Sequence, residues 1–562
     1  MDFALKLAEL TPDTQLQAWV AEQFEIVNTK LAERDAKLAE RDTELHAAKL
    51  KTQALVLELA HLRRMRFGQS SEAINSVHGD LFDETAGSDV AALEAEIDAL
   101  ATPATAPALT TPTPVTQQKR LGAGRQALPA HLPRTVHRHD LDADHCNCNA
   151  CGKLLTLIGC DVSEQLDVTP ASFFVHQHIR PQYACKGCET VTAAAVPARV
   201  IDGGMAASGL VSWVLVSKYV DHLPLYRLEQ IAARAGVALS RSTLAVWVGR
   251  YGVALQPLVD RLQTLLKERN VLHADETPVQ QLAPQSPGAT RVSPGKTQRA
   301  YLWAYCSGEL EERVNALADP DRTALPAIVI FDYQLGRAGT HPRAFLDGWA
   351  GSLMVDDYVG YKSLFAERDA QGRVSVTELG CVAHARRKFF ELHAANASPI
   401  ALEAIERIKA LYEIERRGKP LDTEDRKSLR FTEAMPLLVS MKAWLLQTRG
   451  STANGGALAR AIDYSLRRWD ALSRFAASGD LPIDNNPIEN AIRPIVVGKK
   501  NWLFTGSERA GKRAAAIQSL FATAKKNNID PARWLTDVIE KLPNWPNSRI
   551  DELLPLAGYR FS

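Results

Sequence analysis

Val271-Leu-His-Ala-Asp-Glu-Thr-Pro-Val279 reads as a β-strand closed by Pro278, and it marks where the chain changes from helical to alternating texture. Beyond it, Arg299–Cys306 and Ala327–Tyr333 are expected strands and His341–Trp349 a helix. Ser352–Asp356 follows as a strand, Tyr358–Phe365 as a helix and Val374–Val382 as a strand. The order β-β-β-α-β-α-β is that of a ribonuclease-H-like core, with three strands in a meander before the first helix. In such a core the first strand is central and the strand after the first helix lies beside it. Asp275 then ends the first and Asp356 ends the second.

Residues 385–478 are expected to be nearly all helical, a large insertion before Leu481-Pro-Ile-Asp-Asn-Asn-Pro-Ile-Glu-Asn-Ala-Ile-Arg-Pro494. There Asn486 is a good N-cap, Pro487 fits the first helical position and Glu489 the third, where it can return a hydrogen bond to the cap. Pro494 should kink or end this helix after about two turns. Delivered by that helix, Glu489 can complete a set with Asp275 and Asp356. Three carboxylates on one spot repel unless divalent cations neutralise them, and hard oxygen ligands suit Mg²⁺ or Mn²⁺. Two such ions, ~3.5–4 Å apart, stabilise both oxygens of an in-line phosphoryl displacement. Asp357 is better placed to cap the helix that follows it.

At 562 residues the chain is too long for one core. With 46% hydrophobic and 23% charged residues it is globular, and its net charge of +1 leaves nucleic-acid affinity to local patches. No secretory signal or spanning segment is read, since the apolar run Gly209–Val216 is too short. Six of the eight cysteines lie in the 146–188 window, which suggests a metal site in a reducing cytoplasm rather than disulfides. Cys148-Asn-Ala-Cys151 and Cys185-Lys-Gly-Cys188 offer four thiolates to one structural Zn²⁺, with a β-rich stretch, Glu164–Tyr183, between them. His145, Cys146 and Cys160 are spare donors.

Residues 13–66 read as one long helix. Lys30-Leu-Ala-Glu-Arg-Asp-Ala and Lys37-Leu-Ala-Glu-Arg-Asp-Thr repeat at seven, but only one seam position is apolar, so the pattern is either a weak coiled coil or a solvated helix. Residues 84–118, rich in Ala, Thr and Pro, read as a disordered linker, and 119–140 as a basic segment. Residues 206–260 are helical. Leu225–Ala235, a turn at Gly236, and Ser240 capping Arg241–Tyr251 are similar to a helix-turn-helix, which makes Arg241 a candidate DNA contact; Leu244, Val246 and Trp247 also fit a packed core.

Five motifs occur in order: His273-Ala-Asp-Glu-Thr-Pro-Val279, Val355-Asp-Asp-Tyr-Val-Gly-Tyr361, Cys381-Val-Ala-His-Ala-Arg-Arg-Lys-Phe-Phe390, Asp484-Asn-Asn-Pro-Ile-Glu-Asn490 and Asn501-Trp-Leu-Phe-Thr-Gly-Ser-Glu-Arg-Ala-Gly511. With the paired CxxC module they resemble the insertion-sequence-66 family of bacterial transposases, from about Leu62 to the C-terminus. The resemblance implies a DDE transposase with Asp275, Asp356 and Glu489 as its triad and a helical insertion before the Glu. It implies metal-dependent cleavage of double-stranded DNA at terminal inverted repeats, freeing a 3′-OH that attacks target DNA. Homo-oligomers and accessory proteins of the same element are further implications. Cys381 and His384 resemble a C-x-x-H signature, with His384 in reach of phosphate and Cys381 also readable as packed. Arg386, Arg387, Lys388, Arg493, Lys499 and Lys500 are candidate phosphate contacts.

The corresponding division is 1–83 helical, 84–118 linker, 119–205 basic segment and zinc module, 206–268 helical DNA-binding domain, 269–394 first part of the core, 395–480 insertion and 481–562 completion of the core. Lys512–Asn527 and Pro531–Lys541 are expected to close the chain as helices. Gly506-Ser-Glu-Arg-Ala-Gly-Lys512 after a strand-like Trp502–Thr505 imitates a phosphate-binding loop, but Arg513 stands where Ser or Thr should hold Mg²⁺. Lys512 is therefore read as a DNA contact. The competing non-enzymatic reading is a zinc-containing DNA-binding regulator derived from a transposase.

Overall fold

The computed structural model describes residues 132–141, 153–169, 172–283, 296–308, 325–368 and 374–561, with a few single positions elsewhere. The expected N-terminal helix, the 84–118 linker, the start of the basic segment, His145, Cys146 and Cys148 lie outside the described residues.

A first sheet contains β1 (Arg134–Arg138), β2 (Thr156–Thr169), β3 (Ser172–Ala184) and β4 (Val191–Ala193). β3 is central, pairing parallel with β1 and antiparallel with β2 and β4. Four helices follow: α1 (Ser208–Tyr219), α2 (Leu225–Arg234), α3 (Arg241–Ala254) and α4 (Gln256–Lys267). The expected break between α2 and α3 is present. Gly236 has φ +75°, a conformation that costs glycine little, and the Ser240 hydroxyl accepts the Thr243 N–H. Leu244 and Trp247 of α3 are buried, as the packing reading required.

The second sheet is mixed: β5 (Val271–Leu282), β6 (Thr297–Ser307), β7 (Val329–Gln334), β8 (Gly351–Val355) and β9 (Val376–Gly380), in spatial order β7-β6-β5-β8-β9. β5, β6 and β7 form an antiparallel meander, while β8 and β9 run parallel to β5 and to each other. Pro278 does not close β5, which continues to Leu282. The reason is positional. Pairing with β8 stops at His273, and the Pro278 backbone faces that vacated side, where its carbonyl accepts from Lys499 and no ladder N–H is needed. Asp275 is therefore within β5 rather than at its end, but it sits just past the last β8 pair. Asp356 directly follows β8. Between β7 and β9 lie α5 (Thr340–Phe345), a 3₁₀ turn (Val359–Tyr361) and α6 (Lys362–Ala366).

The insertion comprises α7 (Val382–Asn396), α8 (Pro399–Gly418), α9 (Thr423–Leu429), α10 (Met435–Gly450), α11 (Ala457–Arg467) and α12 (Trp469–Ser473). Its core, with Phe389, Ile408, Leu411, Leu445, Ile462 and Phe475, is its own. Arg430, with no exposed surface, crosses it to a two-pronged ion pair with Glu415 and donates to the carbonyls of Phe475, Ser478 and Leu481.

The chain closes with α13 (Asn486–Trp502), α14 (Glu508–Lys526) and α15 (Pro531–Lys541). Pro494 neither ends nor shortens α13, which runs on to Trp502. Ile488, Ile492 and Ile495 share a core with Val279, Ala300, Leu302 and Phe331 on one face of the second sheet, so the helix is held down on both sides of an exposed proline. The other sheet face packs Trp303, Tyr305 and Ile330 into a core shared with α1–α4, α15 and the inner ends of β2 and β3. The glycine-rich imitation of a phosphate loop is helical: Ser507 caps α14 by accepting the Ala510 N–H, and Gly511 lies inside the helix against the Tyr333 ring, where a Cβ has no room.

Arg430→Met removes one partner of a buried ion pair and three carbonyl donors. We expect a loss of about 3–5 kcal/mol in urea unfolding, with Arg430→Lys intermediate. A change below about 1 kcal/mol contradicts this account of the insertion.

Candidate active site

The site is assembled around Asn485, whose side chain and backbone each bind a different element. Its Oδ1 faces His273 Nδ1 at 2.9 Å, its Nδ2 donates to the Ala274 carbonyl at 2.9 Å, and its backbone N–H donates to Cys381 Sγ at 3.2 Å. The Asn485 carbonyl then accepts the Glu489 N–H in the first turn of α13. One residue earlier, the Asp484 carboxylate accepts the Asn486 N–H and side-chain amide, and receives the Tyr412 hydroxyl from α8. The cap residue is thus Asn485 rather than Asn486, with no side-chain cap hydrogen bond, and the Glu489 carboxylate is left out of capping. Asn485 carries an assembling role that the sequence reading did not assign; its signal was an amide pair beside an acidic residue at a helix start.

Glu489 faces α7: its carboxylate oxygens lie 3.6 Å from His384 Nδ1 and 3.8 Å from the Arg387 guanidinium. Donor atoms of Cys381, His384 and Glu489 all fall within 4.8 Å of one another. Cys381 is nonetheless a packed thiol. Burial pushes it up to about 12, and its sulfur is occupied by the Asn485 N–H. Burial also lowers His384, against the opposing pull of Glu489 and Asp356.

Asp275 and Asp356 flank this group at electrostatic range. The Asp275 carboxyl is pushed up to about 8, first by burial, then by the Glu276, Asp356 and Glu489 charges. Its one resolved compensation is the Glu276 N–H, 2.8 Å from Oδ1. Asp356 accepts the Tyr358 N–H at 2.9 Å; Asp357, expected to cap, instead pairs with Lys362 and Arg468. Glu276 points to the opposite sheet face, as strand alternation requires. There it is buried, ion-paired to Arg337 and hydrogen-bonded to Tyr361 at 2.9 Å. The three carboxylates are partly buried, and of them only Glu489 has cationic partners among the described residues, His384 and Arg387.

The basic candidates do not form one cluster. Arg387 joins Glu489, and Lys499 reaches Pro278. Arg386 lies over Phe390 and Lys388 over Tyr464, while Arg493 and Lys500 are exposed. Arg241 is clasped to Glu229 of α2 at 2.9 Å and Lys512 to Glu508 at 2.6 Å.

In the first sheet, Cys151 Sγ lies 3.2 Å from Cys185 Sγ and 3.6 Å from Cys188 Sγ. Sulfurs sharing a tetrahedral Zn²⁺ with ~2.3 Å bonds stand roughly 3.7 Å apart, so the three thiols fit that ion. Cys160 is outside the group, exposed on β2.

Four family models match successive parts of the chain. A model described as Transposase IS66 family matches residues 203–513, and the zinc-finger binding domain of transposase IS66 matches 145–189. The IS66 C-terminal element matches 519–556, and a model described as Transposase C of IS166 homeodomain matches 54–136. Relatives include two uncharacterised proteins of Sinorhizobium fredii. One, y4qI, is 36% identical over 441 residues, 78% of each chain; the other, y4hP, is 31% identical over 523 residues, covering 91% of this chain and 89% of its own. The chain belongs to the IS66 transposase family, with its zinc-finger and DNA-binding domains. Among the described residues no helix is long and apolar enough to cross a membrane.

Two predictions follow from the geometry. Freshly purified, reduced protein should carry one Zn²⁺ per chain, and Cys185→Ser should lose it together with protection of the β2–β3 hairpin from proteolysis; metal analysis finding no zinc in the parent contradicts this. Asp275 gives a pH signature in EDTA. Its folded value of about 8 lies far above the unfolded ~3.9. The stability this contributes is present below about pH 4 and lost as pH rises through about 8. Asp275→Asn should therefore match the parent near pH 4 and exceed it at pH 8 in denaturant midpoint, whereas a difference independent of pH contradicts the assignment.

Proposed function

We propose that this IS66-family chain is an active DDE transposase that cleaves and joins DNA at a site built from Asp275, Asp356 and Glu489. What supports the reading is that Asp275 on β5 feels the charges of Asp356, at the end of β8, and of Glu489, on α13, in a partly buried setting. The strand order β7-β6-β5-β8-β9, with an antiparallel meander and parallel outer strands, supports a ribonuclease-H-like core. In that reading the two aspartates occupy adjacent central strands and the helical insertion precedes the Glu.

Asp275, Asp356 and Glu489 would hold Mg²⁺ or Mn²⁺, which would supply the positive charge that in-line displacement at phosphorus requires. The chain's own contribution is placement. Asn485 fixes the start of α13 against β5, so Glu489 and Asp275 keep a set separation. The Tyr358 N–H orients the Asp356 carboxylate. Arg387 stands beside Glu489, and exposed Arg493 and Lys500 continue along α13 as phosphate contacts. Water attacks the phosphorus at the element end and the bond to the 3′ oxygen breaks, leaving a 3′-OH and a 5′-phosphate; that 3′-OH then attacks a target phosphodiester in the same site and displaces the target strand's 3′ oxygen, which leaves as a 3′-OH. The zinc module, in which Cys148 completes Cys151, Cys185 and Cys188, and the α2–α3 pair hold the terminal repeats. A homo-oligomer with accessory proteins, working in the cytoplasm, brings two ends together.

Asp275→Asn, Asp356→Asn and Glu489→Gln keep size and remove the charge that holds cations. Each should lower Mg²⁺-dependent cleavage of terminal-repeat DNA by at least about 10³-fold while leaving binding within about 3-fold. Glu489→Gln cleaving like the parent overturns its place in the site.

A further inference from the structure

Next to the carboxylate site, on the same face of the sheet, a cavity of about 110 Å³ opens between α1, α3, β5–β7, α13 and α14. Its aromatic lining is Trp502, Phe504, Tyr219 and Tyr333, with Lys218 and Arg513 also on its wall. At about 110 Å³ it is smaller than the ~150 Å³ enclosed cavity that admits benzene, but it is open to one side, so a ring can stand partly inside it against the aromatic wall.

The backbone is strained to make it. Leu503 has φ +62° and ψ −49°, and the Phe504 N–H donates to the Trp502 carbonyl at 2.7 Å, which is a γ-turn of the rare, strained hand. Leu503 itself is exposed, at 61%. The turn turns an apolar side chain outward to bring the residues on either side of it onto the cavity wall. Its far end is tied down, since Thr505 pairs with the edge of β5 through the Gln280 carbonyl and the Leu282 N–H. A strain of ~1–3 kcal/mol in a non-glycine residue persists where the surroundings impose it, and such positions gather at ligand-binding sites. Tyr333 is equally fixed, its hydroxyl bound to Gln281 and Thr505 and its ring face close against Gly511.

Position identifies the occupant. Val279 on the cavity wall lies four residues beyond Asp275 on the same face of β5, ~13 Å along the strand. Ile495 lies six residues beyond Glu489, ~9 Å along α13. These spacings are a few nucleotides long, so DNA with its scissile phosphate at the carboxylates has a base within reach of this wall, and exposed Lys500 stands on the same helix. We propose that the cavity receives one unstacked nucleobase of the bound DNA strand. This rests on the DNA-cleaving reading for its location; the chemistry of recognition is stacking, which every base supports and which contributes ~1–3 kcal/mol per base.

The test uses the zinc-loaded full chain with no added Mg²⁺ or Mn²⁺ and compares a short oligothymidylate with an abasic oligomer of the same phosphate count, by fluorescence anisotropy. The parent should prefer the base-bearing strand by about 10-fold, within the ~5- to 150-fold span of one stacked base. Trp502→Ala should bring the ratio near one, with affinity for the abasic strand unchanged, and Trp502→Phe should keep most of the preference. Ala510→Leu fills the cavity without removing an aromatic and should also abolish the preference. No preference in the parent, or an unchanged ratio in Trp502→Ala and Ala510→Leu, overturns the proposal. So does a change in oligomeric state on filling the cavity with the base preference intact, which assigns the space to a second copy. Because only binding without added Mg²⁺ or Mn²⁺ is read, the outcome is separate from whether the carboxylates support cleavage.

Discussion

A single side-chain amide with no exposed surface holds the site together. Asn485 binds His273 and Ala274, 212 and 211 residues away in sequence, and its backbone binds Cys381, 104 residues away. Each contact is modest, about 1 kcal/mol net, but each partner is buried and costs ~1–3 kcal/mol if left unmade. The three bonds therefore act as a condition on the fold. The insertion between α7 and α13 can pack around its own core only in a way that returns Asn485 to β5. Arg430, gripping the carbonyls of Phe475, Ser478 and Leu481, fixes the last stretch of chain before that return.

With α13 pinned, the two faces of the second sheet divide the electrostatics. Asp275 and the Glu489 helix share one face; Glu276, with Arg337 and Tyr361, takes the other. Glu276 nevertheless contributes more to raising Asp275 than either Asp356 or Glu489 does. Its own charge is matched locally by Arg337, whereas among the described residues neither Asp275 nor Asp356 has an ion pair. The protein thus keeps a repelling acidic group where a well-packed apolar residue would stabilise the chain. Such a cost is retained where a cation site needs it.

Much of this was legible in the sequence because it depends on local pattern. Strand and helix order from β5 to β9, the helical insertion, the Ser240 cap and the paired thiols all follow from periodicity, capping chemistry and spacing. What was not legible depends on neighbours far away in the chain. Pro278 looks like a strand end until β8 is seen to leave β5 at His273. Pro494 looks like a helix stop until Ile488, Ile492 and Ile495 are seen seated on the sheet. Asn486 looks like the cap, but the helix starts one residue earlier, with Asn485 as the cap residue and its side chain taken up by His273 and Ala274. The γ-turn at Leu503 carries no sequence signal, since neither glycine nor asparagine marks it. The exact partners of the basic residues were equally hidden: Arg241 and Lys512 look free in sequence and are clasped to Glu229 and Glu508.

The account turns on whether the acidic group at β5, β8 and α13 is a cation site. The most direct measurement is a crystal structure of the protein grown or soaked with Mn²⁺, read by anomalous scattering. Manganese bound in contact with the carboxylates of Asp275, Asp356 and Glu489, with Asn485 still bonded to His273 and Ala274, is the expected result. Manganese absent from that group, with Asp275 remaining protonated and the three carboxylates uncoordinated, contradicts it.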